Sequence, residues 1–256
     1  AVVRAMEDRP VVIRTLDLGA DKMPGVPQSE DERNPFLGLR SLRLSLRNLP
    51  VFRTQLRAIL RVSVLGKVRL MFPMVSNLTE LRQAKMVLAD VMEDLAENDV
   101  PFDREVPVGM MVEVPSAVVM MDRFVDEVDF FSIGTNDLIQ YTLAVDRSNK
   151  DMTNLYTAAD PAVIRLIDMA IATANRYSTS INLCGQMSGS PIYTMLLAGL
   201  GLRSFSVTPS AILEIKKICR SVTIDQCQAV AEHVMTLDSA QDIKSYLKKE
   251  LRKVVP

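Results

Sequence analysis

The chain has 256 residues, 48% of them apolar, and balances 30 basic against 31 acidic side chains for a formal net charge of −1. That is enough apolar material for one large domain or two small ones, and too little net charge for a general nucleic-acid or membrane-surface binder. Cysteines 184, 219 and 227 fit neither a disulfide framework nor a zinc spacing, which points to a reducing, cytoplasmic setting.

The opening stretch, AVVRAMEDRP, lacks Met and reads as a fragment or a processed chain; it holds no secretory leader. VVIRTLDLG (11–19) then reads as a β-branched strand ending on glycine. Residues 20–35 are polar, carry three prolines and form a long loop. FLGLRSL is a weak strand. VFRTQLRAILRVSVLG places Phe52, Leu56, Ile59 and Leu60 on one helical face, with Gly66 as its stop. KVRLMFPM (67–74) is a strand, and NLTELRQAKMVLADVMEDLAEN is an amphipathic helix with Thr79 as its cap. EVPVGMMVEVP (105–115) is a strand, with a helix to about Phe124. VDFFSIGTNDL (128–138) is the next strand and PAVIRLIDMAIATANRY (161–177) the next helix. SINLCGQM (180–187) and SFSVTP (204–209) are the last strands. Helices at roughly 211–220 and 225–235 and a charged tail close the chain. No run approaches the ~20 apolar residues that span a bilayer.

The alternation predicts parallel strands joined by crossover helices, seven strands counting the weak one. A closed (β/α)8 barrel and an open doubly wound sheet both fit. Arg14 with Asp17, Glu113, Asn136 with Asp137, and Cys184 with Gln186 all fall at the C-terminal ends of different strands. A barrel gathers such ends at one mouth, where its active site lies. No Gly-x-Gly-x-x-Gly follows the first strand, which argues against dinucleotide binding.

Glu113 and Asp137 are carboxylates in otherwise apolar sequence. Two readings stand open: they hold a divalent cation, for which Mg²⁺ suits one or two carboxylates plus a substrate, or they pair with Arg14 and Arg40 in a structural network. Arg14, Arg40 and Arg147 suit an anionic substrate, because guanidinium forks match phosphate and carboxylate oxygens.

RTLDLGADK, NPFLGLRSLR, LRAILR, GKVRLMFPM, GMMVEVP, DFFSIGTNDLIQYTLAVDR and CGQMSG occur in that order. Together, from about residue 3 to about residue 235, they resemble the C-terminal phosphoenolpyruvate-binding domain of the Enzyme I family, the phosphoenolpyruvate–protein phosphotransferases of bacterial sugar uptake. The resemblance implies an α/β fold, a (β/α)8 TIM-type barrel, over residues 1–256. It implies Glu113 and Asp137 as Mg²⁺ ligands. Arg14, Arg40, Arg147 and Asn136 become contacts to phosphoenolpyruvate, and Cys184 the acid that protonates the enolate of pyruvate. From the residue alone, Cys184 reads equally as a small buried hydrophobe, and Cys219 and Cys227 keep that reading. The resemblance further implies a phosphorylatable histidine on a separate N-terminal domain, a phosphocarrier protein as acceptor, and a homodimer.

Three departures stand out. The family's first strand, with a phosphate-binding arginine, is missing, so the barrel is expected to be partial. Cys-Gly-Glu reads CGQ, and Ser190 replaces a usual acid. Gly-Gly-Asp-Lys reads GADK, with Ala20 in a loop. The departures motivate a second reading, a non-catalytic phosphoenolpyruvate-sensing or dimerisation module. A Mg²⁺-dependent pyruvate-enolate lyase is a third, against which NPFLGLR and LAVDR count. His233, the one histidine, reads as a surface or helix-packing residue.

Overall fold

A computed structural model describes residues 1–18, 34, 36–152 and 154–254. The expected loop at 20–35 and Ala20 within it lie almost wholly outside the described residues. Helix α1 (Val2–Ala5) precedes β1 (Val11–Arg14), and α2 (Ser41–Arg47) and α3 (Leu49–Ser63) precede β2 (Val68–Phe72). Helix α4 (Leu78–Glu97) follows, then β3 (Val108–Val112) with the short α5 (Pro115–Val119) and α6 (Met121–Phe124). Next come β4 (Phe130–Gly134), α7 (Thr135–Leu143), α8 (Pro161–Arg176) and β5 (Ser180–Cys184). The chain closes on α9 (Thr194–Gly199), α10 (Ile212–Ser221), α11 (Ile224–Val234) and α12 (Ala240–Val254).

The sheet order is β1-β2-β3-β4-β5, and the β1–β2 and β2–β3 pairings are parallel. An order that follows the chain without reversal is that of a barrel wall; a doubly wound sheet has a switch point. The fold is therefore α/β with a five-stranded, barrel-type wall, a partial barrel. Among the described residues no helix is long and apolar enough to cross a membrane.

The chain folds as two compact units, residues 1–111 with 126–130, and residues 112–125 with 131–256. In the first, α3 buries Phe52, Leu56, Ile59 and Leu60, the stripe its spacing predicts. Phe52 meets Phe72 of β2 edge-on, with ring centroids 6.1 Å apart. Helix α4 starts at Asn77, whose side chain accepts from the Glu80 amide at 2.9 Å. The cap is therefore Asn77, not Thr79: Glu80 reaches back to the Ser76 amide at 2.8 Å and fixes the earlier helix start.

The second unit packs α8 through Ile164, Ile167 and Ile171, all buried. Pro161 opens α8, and Asp160 caps it by accepting from the Ala162 amide at 2.8 Å. Gly199, at the end of α9, has no room for a Cβ against the Cys227 backbone, so α9 and α11 approach at backbone distance.

Four further expectations need correction. FLGLRSL contains no β-branched residue, and it forms a turn, a single bridge at Arg40 and the start of α2. SFSVTP is reduced to one parallel bridge, Leu183 to Phe205, because Pro209 starts a short 3₁₀ turn. With these two lost, the seven expected strands are five among the described residues, and the strand at 128–138 stops at Gly134, with Thr135 to Leu143 as helix. The charged tail is helix α12, which buries Ile243 and Leu247 on one face.

Candidate functional site

In the first unit, Arg14 ends β1 and the chain carries Asp17 three residues on. The Asp17 carboxylate receives Arg14 Nη1 at 3.2 Å and Arg40 Nη2 at 3.0 Å. Arg40 is buried beside α2 and lies 5.7 Å from the Phe36 ring centroid, while the half-exposed Arg14 also points Nη1 at Met111 Sδ, 3.9 Å away. The structure thus brings two of the three expected arginines together, and the shared acid is Asp17. Its place at a strand end is visible in the sequence, but its bridging role needs the folded turn that returns Arg40 to it.

In the second unit, β4 runs straight into α7. Gly134 is the N-cap, and Thr135, Asn136 and Asp137 form the first helical turn, where an acidic side chain suits the positive end of the helix dipole. Asn136 Oδ1 accepts from the Gln186 amide at 3.2 Å, and Thr135 Oγ1 donates to the Cys184 carbonyl at 3.0 Å. These two bonds lock the start of α7 to the end of β5. Gly185 sits between them with φ +95°, and a Cβ there would run into Thr135 Oγ1 and stand 3.1 Å from Asn136 Oδ1. The Cys-Gly pair is therefore a geometric requirement.

Cys184 Sγ donates to the Ile133 carbonyl at 3.4 Å and lies 3.5 Å from Ser132 Oγ, whose own hydrogen bond goes to Asn182 Oδ1 at 2.6 Å. The thiol is half-buried and held against two neighbouring strand residues. It is not the fully buried hydrophobe of the alternative reading. Cys227 is buried as expected, but Cys219 is exposed, next in sequence to the buried Ile218 of α10. His233 is exposed and stacks on Tyr246 of α12, with centroids 4.2 Å apart, a helix-packing role.

Arg147 donates its backbone N–H to Gln140 Oε1 at 3.2 Å, which fixes the turn after α7. The charge of Arg147 acts on Tyr156, a residue that no sequence motif marks. The Tyr156 hydroxyl donates to the Asn136 carbonyl at 3.0 Å. Burial pushes that phenol up; Arg147 pulls it back by charge and hydrogen bond, and Asp137 pushes it up. Tyr156 is thus bonded to Asn136 and sits under the charges of Arg147 and Asp137. The only trace of it in the sequence is a lone aromatic in the polar run DMTNLYTAAD.

Glu113 directly follows β3 and is 1% exposed; Asp137 is 7% exposed. Both belong to the second unit. Carboxylate oxygen is the ligand type Mg²⁺ takes, and Mg²⁺ binds few protein oxygens and keeps substrate and water in its shell. Among the described residues no group of three or more His, Cys, Asp or Glu side chains could hold a metal.

The first unit thus offers paired cations, and the second buried carboxylates and a positioned thiol. A family model described as PEP-utilising enzyme, PEP-binding domain, matches residues 1–224. The chain belongs to that family. Among relatives of this PEP-binding domain, the phosphoenolpyruvate-protein phosphotransferase of Geobacillus stearothermophilus is 45% identical over 248 residues, 97% of this chain and 43% of that protein. The enzyme of the same name from Bacillus subtilis (strain 168) is 40% identical over 251 residues, 98% of this chain and 44% of that protein. The chain spans less than half the length of these curated relatives. A solved citrate lyase from Burkholderia xenovorans LB400 is similar over 78% of this chain and 67% of that one, at TM-score 0.48 and 17% identity.

Proposed function

We propose that the chain binds phosphoenolpyruvate together with Mg²⁺, as the substrate-binding and dimerisation part of a cytoplasmic phosphoenolpyruvate–protein phosphotransferase. The observation that carries this reading is the second-unit cluster, in which β5 and the start of α7 hold the Cys184 thiol and Asn136, and Gln140 holds the Arg147 backbone. Arg14, Arg40 and Arg147 take the phosphate and carboxylate of the substrate, with Asn136 as a further contact. Glu113 and Asp137 hold Mg²⁺, which supplies charge stabilisation to the departing enolate oxygen.

In the whole protein, the bond between phosphorus and the enol oxygen breaks, and a bond forms to a histidine nitrogen on a separate N-terminal domain. The electron pair stays on the enolate. Cys184 gives its proton to the methylene carbon, which yields pyruvate, and water returns a proton to the thiolate. The phosphohistidine domain passes the group to a phosphocarrier protein for sugar uptake.

Calorimetry with phosphoenolpyruvate tests the reading. Binding is expected in Mg²⁺, with a loss of about ten-fold or more in Glu113→Gln, the scale of one charge-assisted contact. Absence of binding in Mg²⁺ defeats the proposal. The non-catalytic reading has its own support, because Gln186 and Ser190 carry no charge where the resembled pattern has acids. It predicts binding without enolate protonation in the intact enzyme.

A further inference from the structure

A cavity of about 250 Å³ in the second unit is lined by Asn136, Tyr156, Gln186, Ser190, Tyr193 and, from the C-terminal helix α12, Lys244. Among the described residues no carboxylate lines it. The side chains of Gln186, Ser190, Tyr193 and Lys244 make no hydrogen bond or ion pair with any described residue. Lys244 is half-buried and brings the one cationic side chain of this lining among the described residues. Tyr193 is 6% exposed, and burial pushes its phenol up to about 12, so it stays a donor throughout the neutral range. Asn136 has its Oδ1 committed to the Gln186 amide, which leaves its NH₂ as a donor. One cation and a ring of donors around an open space call for an oxyanion.

Gln186 and Ser190, both neutral, line this cavity together with Lys244. We propose that this cavity is an anion-binding subsite, separate from the Arg14, Arg40 and Arg147 contacts, that takes the phosphate or carboxylate group of a small molecule on Lys244, with Ser190, Tyr193 and Gln186 as hydrogen-bond donors. Its size suits inorganic phosphate or a short organic acid. Within the second unit it meets the proposed substrate residues at Asn136, and Tyr156 of its lining feels the charges of Arg147 and Asp137.

The probe is inorganic phosphate, titrated calorimetrically into the chain at constant ionic strength in chloride. One phosphate per chain is expected. Lys244→Gln and Ser190→Asp should each weaken it about ten- to a hundred-fold, the first by removing the cation and the second by supplying an internal acid. Thermal melts of both variants check that the fold is kept. Equal affinity in all three proteins, or no phosphate uptake by the natural chain, overturns the proposal. So does one-for-one displacement of phosphate by phosphoenolpyruvate, which would make the two sites one. Phosphoenolpyruvate titrations on the same samples separate this result from the function proposed above: a chain that takes phosphate but not phosphoenolpyruvate keeps the subsite and loses that function, and the reverse loses the subsite.

Discussion

Asp17 is the residue on which the arginine pair of the first unit depends. A nearly buried carboxylate holding two guanidiniums at 3.2 and 3.0 Å fixes both forks before any substrate arrives, which removes an ordering cost from binding. Asp17→Asn keeps the shape and removes the charge. It should destabilise the first unit by roughly 1.5–3 kcal/mol, the scale of a hydrogen bond to a charged group, read as a drop in urea midpoint. Phosphoenolpyruvate should bind about ten-fold more weakly. Tighter binding would mean that Asp17 competes with the substrate for its arginines, and the positioning role would be gone. Gln186 poses a different question. Its backbone N–H, not its side chain, makes the contact to Asn136. The side chain has no task in orienting Cys184 that a glutamate would do better. In the intact enzyme, Gln186→Glu should therefore leave solvent-deuterium exchange into pyruvate C3 within a few-fold. An acceleration nearer the ~10²-fold of a positioned acid or base would show a proton relay that the natural sequence has lost. Cys184→Ala is the control, and should abolish the exchange.

The junction of β4 and α7 is the element that shapes the second-unit cluster, and Gly185 is what lets β5 reach it. At φ +95°, with Thr135 Oγ1 and Asn136 Oδ1 where a methyl would stand, Gly185→Ala carries both backbone strain and a clash. A loss of about 2 kcal/mol or more in urea unfolding is expected. Asn136 should also be pushed off the Gln186 amide, visible as a shifted Gln186 N–H resonance. An alanine variant as stable as the natural chain would show that the contact can relax. The sequence announces β2, β3, β4 and β5, because apolar runs such as RLMF and VGMMV mark strands covered by helices. It announces α3, α4 and α8 through the spacing of their buried residues. It hides the start of α7, since the apolar run through Leu138 and Ile139 reads on as strand until backbone geometry ends it at Gly134. It hides α12, whose core contribution rests on Ile243 and Leu247 among charged residues. Cys184, Asn136 and Arg147 are legible through ordered motifs. Tyr156, Asp17 as a bridge and Lys244 are not, because each acquires its meaning from a tertiary contact that no local spacing encodes.

At the scale of the whole molecule, 30 basic and 31 acidic side chains leave almost no net field to concentrate divalent cations. Any specific effect of Mg²⁺ on stability must therefore come from local carboxylates, and among the described residues Glu113 and Asp137 are the buried ones not already bridging two arginines as Asp17 does, both within the second unit. Burying an ionised carboxylate is costly unless another charge answers it, and a cation that binds the folded state alone stabilises that state by mass action. At about ten times its dissociation constant the gain is about 1.4 kcal/mol, or roughly 3–6 °C in melting temperature for a unit of this size. Scanning calorimetry should show that rise in MgCl₂ relative to NaCl of equal ionic strength, with reversal by a chelator. Glu113→Gln should lose the Mg²⁺-dependent rise in melting temperature. If the natural chain and Glu113→Gln respond equally to Mg²⁺, the cation acts elsewhere, and the pair Glu113 and Asp137 is a structural feature of the wall and not a metal site.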